Sequence, residues 1–425
     1  MFEQRLKRLI LVGMAALLLL IPTHVNAAGL PDDYHQAQLG LEVKSAIAID
    51  SKTGQLLYGK NINQALPIAS MTKLLTVYLT HQAIAEHKIS WDTKVKPTAQ
   101  IVAVSANRGF SNVPLKAGHT YTIKQLYQAT LIQSANGAAM MLAQAVSGSQ
   151  LDFVRQMRAQ LEKWGIDDAR IYTTCGLPNK SVGSDSDPAA DKNAENEMSA
   201  KDMAIVGKNL LADYPEVVRT TRIARLDFID QGQKTSMTNF NWMLKGLPQH
   251  RPSLEIDGLK TGTTDAAGAC FIATAKHQGA RVITVVMGAR HVNGTDPARF
   301  EQTSKLLNYL FQSYHPIIFK KNEAIIGNTS IKVHNGQASE INIGMKTASE
   351  LWLPRGQKLT VDLTNNRVEA PIEVGEIASY YRFRVGDRKL LAVQGTNDVE
   401  LPAKAMQSTK KVNFLIRLWR WLFGG

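Results

Sequence analysis

The chain begins with the hydrophobic pattern of a leader. Three basic residues within the first eight positions precede an unbroken apolar run over residues 9–21, and small residues lead up to Ala27. This order is typical of a secretory signal peptide. A membrane-spanning anchor is the alternative, but the run is shorter than the roughly 20 residues that cross a bilayer. We therefore expect residues 1–27 to be a signal peptide and the protein to be exported.

Residues 35–315 combine two hydrophobic periods. Apolar residues at helical spacing predict helices, whereas short apolar runs between turn residues predict strands. Residues 178–196 are polar and nearly lack large apolar side chains, which favours a solvated loop over a lid or a partner-binding segment. The predicted helices cover residues 68–82, 123–141, 150–164 and 198–214, and the predicted strands cover residues 43–49, 55–58, 269–275 and 281–288.

Residues 316–400 change to short strand-like runs separated by turn residues. This pattern predicts a small all-β domain. It contains no catalytic constellation, and we interpret it as a spacer or docking module.

Residues 404–425 carry the pattern of an amphipathic helix. At about 1.5 Å per residue, residues 410–423 reach roughly 21 Å, too short for a hydrocarbon core of about 30 Å. We expect this helix to lie in a membrane interface, with its basic groups toward headgroups and with Trp419 and Trp421 at the boundary. Docking on the protein's own body is the alternative. The polar stripe consists of Lys410, Asn413, Arg417 and Arg420.

Composition narrows the range of partners. Of the 425 residues, 44% are hydrophobic and 20% are charged, as in ordinary globular proteins. The formal net charge is +13, but the leader and residues 401–425 hold much of it, so the body is only mildly basic. On an exported chain this charge favours anionic wall polymers or lipid headgroups over nucleic acid.

Cysteine and histidine residues do not indicate a metal site. Cys175 and Cys270 are the only cysteines. They are too few for a disulfide framework and lack zinc-binding spacing, and whether they pair stays open. The ten histidines include no H-E-x-x-H motif. We therefore expect neither a metal nor another cofactor.

Three short polar motifs stand in a fixed order along the chain. Residues 70–73 form an S-x-x-K motif, residues 134–136 an S-x-N motif and residues 260–262 a K-T-G motif. This order is typical of enzymes that form an acyl intermediate on a serine. Each motif also occurs a second time, so a motif alone does not identify the site.

The surroundings decide between the two copies of each motif. The second K-T-G, residues 52–54, falls in a predicted hairpin turn. The second S-x-x-K, residues 408–411, lies at the edge of the predicted C-terminal helix. The second S-x-N, residues 105–107, lies in a loop-like stretch instead of leading into an apolar helix. We therefore assign the site to the three motifs named above.

Ser70 and Lys73 fit the roles of nucleophile and general base. They lie three residues apart near a predicted helix start, so both side chains project from one face. The helix N-terminus favours negative charge developing on the Ser70 hydroxyl. Lys73 must be neutral part of the time to accept a proton, which requires desolvation or a nearby cation, and Lys260 is a candidate for that cation.

The other two motifs fit proton transfer and substrate binding. Ser134 would pass a proton to the leaving amine, and Asn136 would hold the substrate's peptide carbonyl. Residues 260–262 open a probable strand, where Gly262 would let a substrate backbone approach closely. Lys260 and Thr261 would bind a terminal carboxylate. The backbone amides of Ser70 and Thr263 would donate to the oxyanion.

These residues resemble the low-molecular-mass penicillin-binding proteins of the D-alanyl-D-alanine carboxypeptidase type, in the peptidase S11 family. The resemblance rests on residues 69–75, 134–136 and 257–268 and covers nearly the whole chain. Residues 199–204 and 239–244 also resemble family segments, outside the site. Many relatives carry Asp where this chain has Gly137, and we expect this departure to alter local helix or pocket contacts.

The resemblance implies an α+β fold, in which a β-lactamase/transpeptidase-like catalytic domain with a central antiparallel sheet is followed by a small all-β domain and an amphipathic helix. It implies that the enzyme releases the terminal D-Ala of peptidoglycan pentapeptide stems through an acyl-enzyme on Ser70. It also implies acylation by β-lactams, and a location on the outer face of the cytoplasmic membrane.

Two other functions are compatible with the motifs. A serine β-lactamase shares them, but it would need a carboxylate that activates a deacylating water, and no such motif follows Ser134. A non-catalytic penicillin-binding or sensor module would not need the poised base.

Arg290 and Arg299 are candidates for helping the substrate carboxylate, although each is more simply interpreted as surface charge. A D-Ala or a D-lactate terminus, cross-link cleavage and the oligomeric state stay open.

Overall fold

The computed structural model describes residues 29–34, 38–413 and 415. The predicted signal peptide and the predicted C-terminal helix beyond residue 413, apart from residue 415, lie outside these residues. No helix in the described part of the chain has the length and apolar character needed to cross a membrane.

Helices and strands alternate in the first three quarters of the described chain, and strands predominate after that. The helices are α1 (Lys73–Ala85), α2 (Ala99–Ala106), α3 (Ile123–Ile132), α4 (Asn136–Ser147), α5 (Gln150–Lys163), α6 (Ala200–Asp213), α7 (Val217–Thr221) and α8 (Ala298–Ser313). The 3-10 turns are Ala69–Thr72 and Asn179–Asp185. The strands up to α8 are β1 (Ser45–Asp50), β2 (Leu56–Lys60), β3 (Leu66–Pro67), β4 (Lys94–Val95), β5 (Tyr121–Thr122), β6 (Glu197–Met198), β7 (Arg225–Asp230), β8 (Gln233–Thr238), β9 (Glu255–Thr264), β10 (Gly268–His277) and β11 (Ala280–Ala289). The later strands are β12 (Tyr314–Phe319), β13 (Ser330–His334), β14 (Glu340–Met345), β15 (Ser349–Pro354), β16 (Leu359–Leu363), β17 (Arg367–Glu369), β18 (Ile377–Val385), β19 (Arg388–Lys389) and β20 (Glu400–Ala405).

A five-stranded antiparallel sheet, in the order β2-β1-β11-β10-β9, forms the centre of the catalytic region. Side chains alternate between its two faces. On one face, Ile272 and Ile283 meet Gly207 of α6. On the other face, Phe271 and Val286 share a buried cluster with α8. β9 is the last strand at one edge of this sheet. The arrangement confirms the predicted central antiparallel sheet with helices.

Two predicted helices have different boundaries in the structure. The helix predicted over residues 68–82 starts as the 3-10 turn before α1. The helix predicted over residues 123–141 is two helices, because Ser134 has φ = +55° and cannot continue a right-handed helix. Periodicity missed this break, since apolar positions continue at helical spacing on both sides of it.

The β-rich region packs against the catalytic region through β15. Gln55 and Trp352 exchange two hydrogen bonds, from Gln55 Nε2 to Trp352 O and from Trp352 N to Gln55 Oε1. Trp352 Nε1 also donates to Asp50 Oδ2 at 3.1 Å. Trp352 is fully buried in the core cluster of the catalytic region. The boundary predicted between residues 315 and 316 falls inside β12, which pairs with β15.

The boundaries predicted at residues 400 and 404 are wrong. Lys404 and Ala405 lie in β20, where every second residue is buried, as in a strand with one face on a core. Lys411 forms a β-bridge with Gly336, and Val412 N donates to Asn335 O at 2.9 Å. The β-rich region therefore continues to at least Val412, and the predicted helix does not begin at residue 404.

Candidate active site

Ser70 lies in a tight turn against which two glycines pack. The preceding residue, Ala69, has φ = +47°, in the left-handed region that non-glycine residues rarely adopt. A Cβ added to Gly176 would lie 2.0 Å from Ala69 O. One added to Gly262 would lie 2.6 Å from Ile68 O. The close approach expected from a substrate at Gly262 is therefore made by the protein's own turn Ala69–Thr72, which we call the nucleophile turn because Ser70 is the predicted nucleophile.

Lys73 is fully buried one helical turn after Ser70. Its Nζ donates to Ser70 Oγ at 2.7 Å, to Asn136 Oδ1 at 2.7 Å and to Cys175 O at 2.6 Å. None of these partners carries a negative charge. Burial lowers the pKa of Lys73 to about 8, so a neutral fraction exists near neutral pH. Position and pKa thus meet the two requirements for a base that takes the Ser70 proton.

The S-x-N motif lies in the break between α3 and α4. Asn136 donates to Ser111 O from both its backbone N and its Nδ2, at 3.0 and 3.1 Å. These bonds leave its Oδ1 to accept from Lys73. Ser134 is buried and lines the same cavity as Ser70. The break in the helix therefore presents a hydroxyl and an amide beside the nucleophile.

The K-T-G motif lies on β9, the edge strand next to the nucleophile turn. Thr261 and Thr263 line the cavity together with Ser70. Lys260 is buried, and its Nζ donates to Thr261 O at 2.9 Å. Burial lowers the pKa of Lys260 well below its usual value, and the positive charges of Lys73 and Arg299 lower it further. The charge of Lys73 thus lowers the pKa of Lys260, whereas the pKa of Lys73 itself is lowered by burial and not by Lys260, the cation suggested from the sequence.

Arg299 belongs to the site, so the interpretation of it as surface charge is wrong. It is buried at the start of α8. Its Nη1 donates to Gly262 O and Cys270 O at 2.8 and 3.0 Å, and its Nη2 donates to Thr263 Oγ1 at 2.6 Å. Burial lowers the pKa of Arg299 to about 10, which leaves it charged at neutral pH. Arg290, the other candidate, is exposed and pairs with Asp296.

Asn196 stabilises the nucleophile turn. The polar composition of residues 178–196 did not predict this role. Its backbone O accepts from Ile68 N at 2.9 Å, and its Nδ2 donates to Thr72 Oγ1 at 3.0 Å. Asn196 is fully buried. The preceding residue, Glu195, accepts from Thr264 Oγ1 at 2.6 Å, just after the K-T-G motif. The end of the predicted loop thus joins the turn to the edge strand.

Phe240 and Trp242 line the cavity, although residues 239–244 were expected to lie outside the site. Asn239 and Asn241 alternate with them and are buried. Asn239 Nδ2 donates to Thr221 O and Ile223 O, and its Oδ1 accepts from Asn241 N. The two asparagines fix the segment from within, which leaves the intervening aromatic side chains to face the cleft.

The second S-x-N motif is excluded for a different reason than the one expected. Ser105 lies in α2, not in a loop. Its Oγ donates to Val102 O and accepts from Leu115 N. It also packs on Gly137, where an added Cβ would lie 3.0 Å from Ser105 Cβ and 3.2 Å from Leu115 Cδ1. Gly137 therefore lets α4 approach α2 closely, and this is the local contact that the departure at Gly137 affects.

The other two repeated motifs have structural partners or lie at the surface. Residues 52–54 form the turn between β1 and β2, where Lys52 Nζ pairs with Glu350 at 2.6 Å. Ser408 and Lys411 are exposed at the end of the β-rich region.

Cys175 and Cys270 are buried free thiols. Within the described residues, no three His, Cys, Asp or Glu side chains gather as metal ligands.

Residues 33–291 match the family model of peptidase S11, D-alanyl-D-alanine carboxypeptidase. The chain belongs to this family. It is a serine-type D-alanyl-D-alanine carboxypeptidase with the fold of a low-molecular-mass penicillin-binding protein. Family membership confirms the carboxypeptidase prediction.

Similar proteins extend over most of the chain. The D-alanyl-D-alanine carboxypeptidase DacF of Bacillus subtilis is 29% identical and covers 98% of this chain and 97% of its own length. A crystal structure of a peptidoglycan synthesis regulatory factor (PBP3) from Streptococcus pneumoniae is 35% identical, with a TM-score of 0.74, and covers 88% of this chain and 100% of that one. Penicillin-binding protein D2 from Listeria monocytogenes, solved with cefotaxime bound, is 28% identical, with a TM-score of 0.53, and covers 64% of this chain and 98% of that one.

Proposed function

We propose that this carboxypeptidase removes the terminal D-Ala from peptidoglycan pentapeptide stems through an acyl-enzyme on Ser70. The observation that carries the proposal is the 2.7 Å contact between Lys73 Nζ and Ser70 Oγ in a buried site. A buried lysine with a pKa of about 8 is a base strong enough to take the serine proton and is also neutral often enough to do so.

Acylation begins when Ser70 Oγ attacks the carbonyl carbon between the last two D-Ala residues and Lys73 takes the Ser70 proton. The backbone amides of Ser70 and Thr263 donate to the oxyanion. Ser134 relays the proton to the leaving nitrogen, the C–N bond breaks, and free D-Ala departs as the amine. Asn136 holds the substrate's peptide carbonyl while it also fixes Lys73.

Deacylation returns the enzyme to its starting state. A water molecule attacks the Ser70 ester, and neutral Lys73 accepts the water proton. The ester C–O bond breaks, Ser70 Oγ recovers a proton, and the shortened stem leaves as a carboxylate. Arg299 gives the cleft a positive end, and the hydroxyls of Thr261 and Thr263 lie beside it, which suits the terminal carboxylate of the incoming substrate.

Acylation by β-lactams follows from the same geometry. A β-lactam presents an amide carbonyl and a nearby carboxylate, as the D-Ala-D-Ala end does. The Listeria monocytogenes relative was solved with cefotaxime bound, which supports a comparable complex here.

We also infer that the mature enzyme works outside the cytoplasmic membrane and attaches to it peripherally. Residues 1–27 read as a signal peptide, and residues 410–423 carry basic and apolar side chains in an amphipathic pattern. Peptidoglycan, the substrate, lies on the outer side of this membrane.

Mass spectrometry with a stem peptide that ends in D-Ala-D-Ala tests the proposed reaction. We expect D-Ala release and an ester on Ser70 from the wild type, and neither from Ser70→Ala. Ser408→Ala, from the second S-x-x-K motif, is the matched control and should match the wild type. Labelling of Ser70 by penicillin without D-Ala release would instead favour a sensor, and sustained β-lactam hydrolysis would favour a β-lactamase.

A further inference from the structure

The cleft that contains Ser70 continues beyond the groups that the reaction uses. Its cavity has a volume of about 370 Å³, within the range of roughly 300–1,000 Å³ typical of small-molecule sites. Its lining includes Ser70, Ser134 and the K-T-G strand. The lining also includes Gly109, Ser111, Arg299, three aromatic side chains and the loop before α8. The aromatic residues are Phe240, Trp242 and Phe300.

Trp242 and Phe300 form an aromatic wall through ring contact, and Phe240 lines the same cavity. The rings of Trp242 and Phe300 lie 5.3 Å apart, and Phe300 in turn packs edge-on against Phe271 in the core. Phe300 is buried, whereas Phe240 at the rim is 36% exposed. Trp242 is therefore supported from behind and presents a rigid apolar surface to the cavity.

The wall lies next to the cation that faces the terminal carboxylate. Arg299 and Phe300 are consecutive residues, and the Arg299 guanidinium reaches Thr263 Oγ1 at 2.6 Å. Asp296 lines the same cavity and its charge raises the pKa of Arg299, but no carboxylate among the described residues forms an ion pair with Arg299 within 4 Å. A substrate carboxylate bound at Thr261 and Thr263 would thus have its own Cα, and the side chain on that Cα, close to the wall.

We propose that this wall, together with Phe240, receives the side chain of the residue that is released. The methyl group of D-Ala would leave most of it uncovered, so the enzyme would also release C-terminal D-residues with larger apolar side chains, such as D-Met, D-Leu and D-Phe. The bond that breaks is the same one, since only the leaving amine differs. This inference rests on the proposed acyl-enzyme reaction.

Peptides that end in D-Ala-D-Xaa, with Xaa as Ala, Met, Leu or Phe, test the proposal through the kcat/KM for release of each terminal residue. We expect the wild type to release D-Met and D-Leu with a kcat/KM that is at most about tenfold lower than that for D-Ala. Trp242→Ala and Phe240→Ala should lower the ratio of D-Leu to D-Ala release by about tenfold. Trp242→Phe, which keeps an aromatic surface, should restore most of the ratio.

A second peptide series, varied at the penultimate residue, tests whether the wall binds the acyl part of the substrate instead. If Trp242→Ala changes the selectivity of that series and not of the first, the wall binds the acyl part and the proposal is wrong. Equal losses on all peptides would also overturn it, because they would mean that Trp242 only maintains the fold. Release of D-Ala by the wild type is measured in the same assay, so its absence would count against the proposed function itself.

Discussion

Lys73 Nζ donates a 2.7 Å hydrogen bond to Asn136 Oδ1, across a buried gap between two helices. The amide oxygen is neutral, so it orients the amine without holding it in the charged form. A carboxylate in the same place would favour the ammonium and raise the pKa of Lys73. The choice of an amide here is therefore coupled to the pH at which Lys73 works as a base.

Asn136→Asp should move the pH dependence of acylation upward. In the wild type, acylation should rise with pH as Lys73, with a pKa of about 8, loses its proton. The variant carboxylate raises that pKa, so the rise should shift by at least about one pH unit, equal to about tenfold in rate at pH 7. Stopped-flow acylation by a chromogenic β-lactam measures both curves. Asn136→Ala is the control, because it should lower the rate without an upward shift, and an unshifted curve for Asn136→Asp would exclude Lys73 as the base.

Gly176→Ala should lower both stability and acylation. Its φ of +82° strains any other residue, and its Cβ would overlap Ala69 O at 2.0 Å. Gly148→Ala is a matched control, because Gly148 has φ = +76° but no atom within 4 Å of the added Cβ. We expect a loss of about 1 kcal/mol in the free energy of unfolding for the control, and a loss of roughly 3 kcal/mol or more with displacement of Ser70 for Gly176→Ala. Urea unfolding and β-lactam labelling of Ser70 distinguish the two, and equal effects would exclude the contact with Ala69 as the cause.

Arg299→Gln should impair substrates that carry a free terminal carboxylate. Loss of a charge-assisted hydrogen bond predicts a fall of about 10- to 100-fold in kcat/KM for a peptide ending in D-Ala. The same peptide with a terminal carboxamide should change much less. Arg290→Gln, at an exposed position, is the control and should match the wild type. Equal losses on the two peptides would assign Arg299 to support of β9 instead of carboxylate binding.

Two truncations should separate membrane attachment from the β-rich region. A chain that ends at residue 413 keeps β20 and the Lys411–Gly336 bridge, so it should stay active while it no longer sediments with anionic lipid vesicles. A chain that ends at residue 403 loses part of β20 and should be less stable, with a lower Tm. If the chain that ends at residue 413 still binds vesicles, the membrane attachment lies elsewhere in the protein.

Residue types and short spacings in the sequence were sufficient to predict the catalytic groups. The spacing of Ser70 and Lys73 predicts that both side chains project from one face of a helix, because residues three apart share a face. The K-T-G strand and the hairpin at residues 52–54 follow from turn residues and apolar runs, which are short-range signals. The family resemblance added the α+β fold and the order of the domains.

The same short-range signals did not predict the contacts between segments that are distant in the sequence. Gly262 looked like a position for substrate approach, yet its added Cβ would meet Ile68 O, which is almost two hundred residues away in the sequence. Arg299 looked like surface charge, since nothing near it in the sequence shows that α8 buries it against β9. The break at Ser134 depends on one left-handed residue, which hydrophobic periodicity does not record.

The sequence by itself determined the family and the order of the motifs, and it predicted the nucleophile and the base, because these depend on residue type and short spacing. Only the tertiary structure decided the state of the site. The pKa of Lys73 depends on its complete burial, and the neutrality of its partners depends on where Asn136 and Cys175 come to lie. The aromatic wall beside Arg299 has the same origin, because it is assembled from a loop and a helix that meet only when the chain folds.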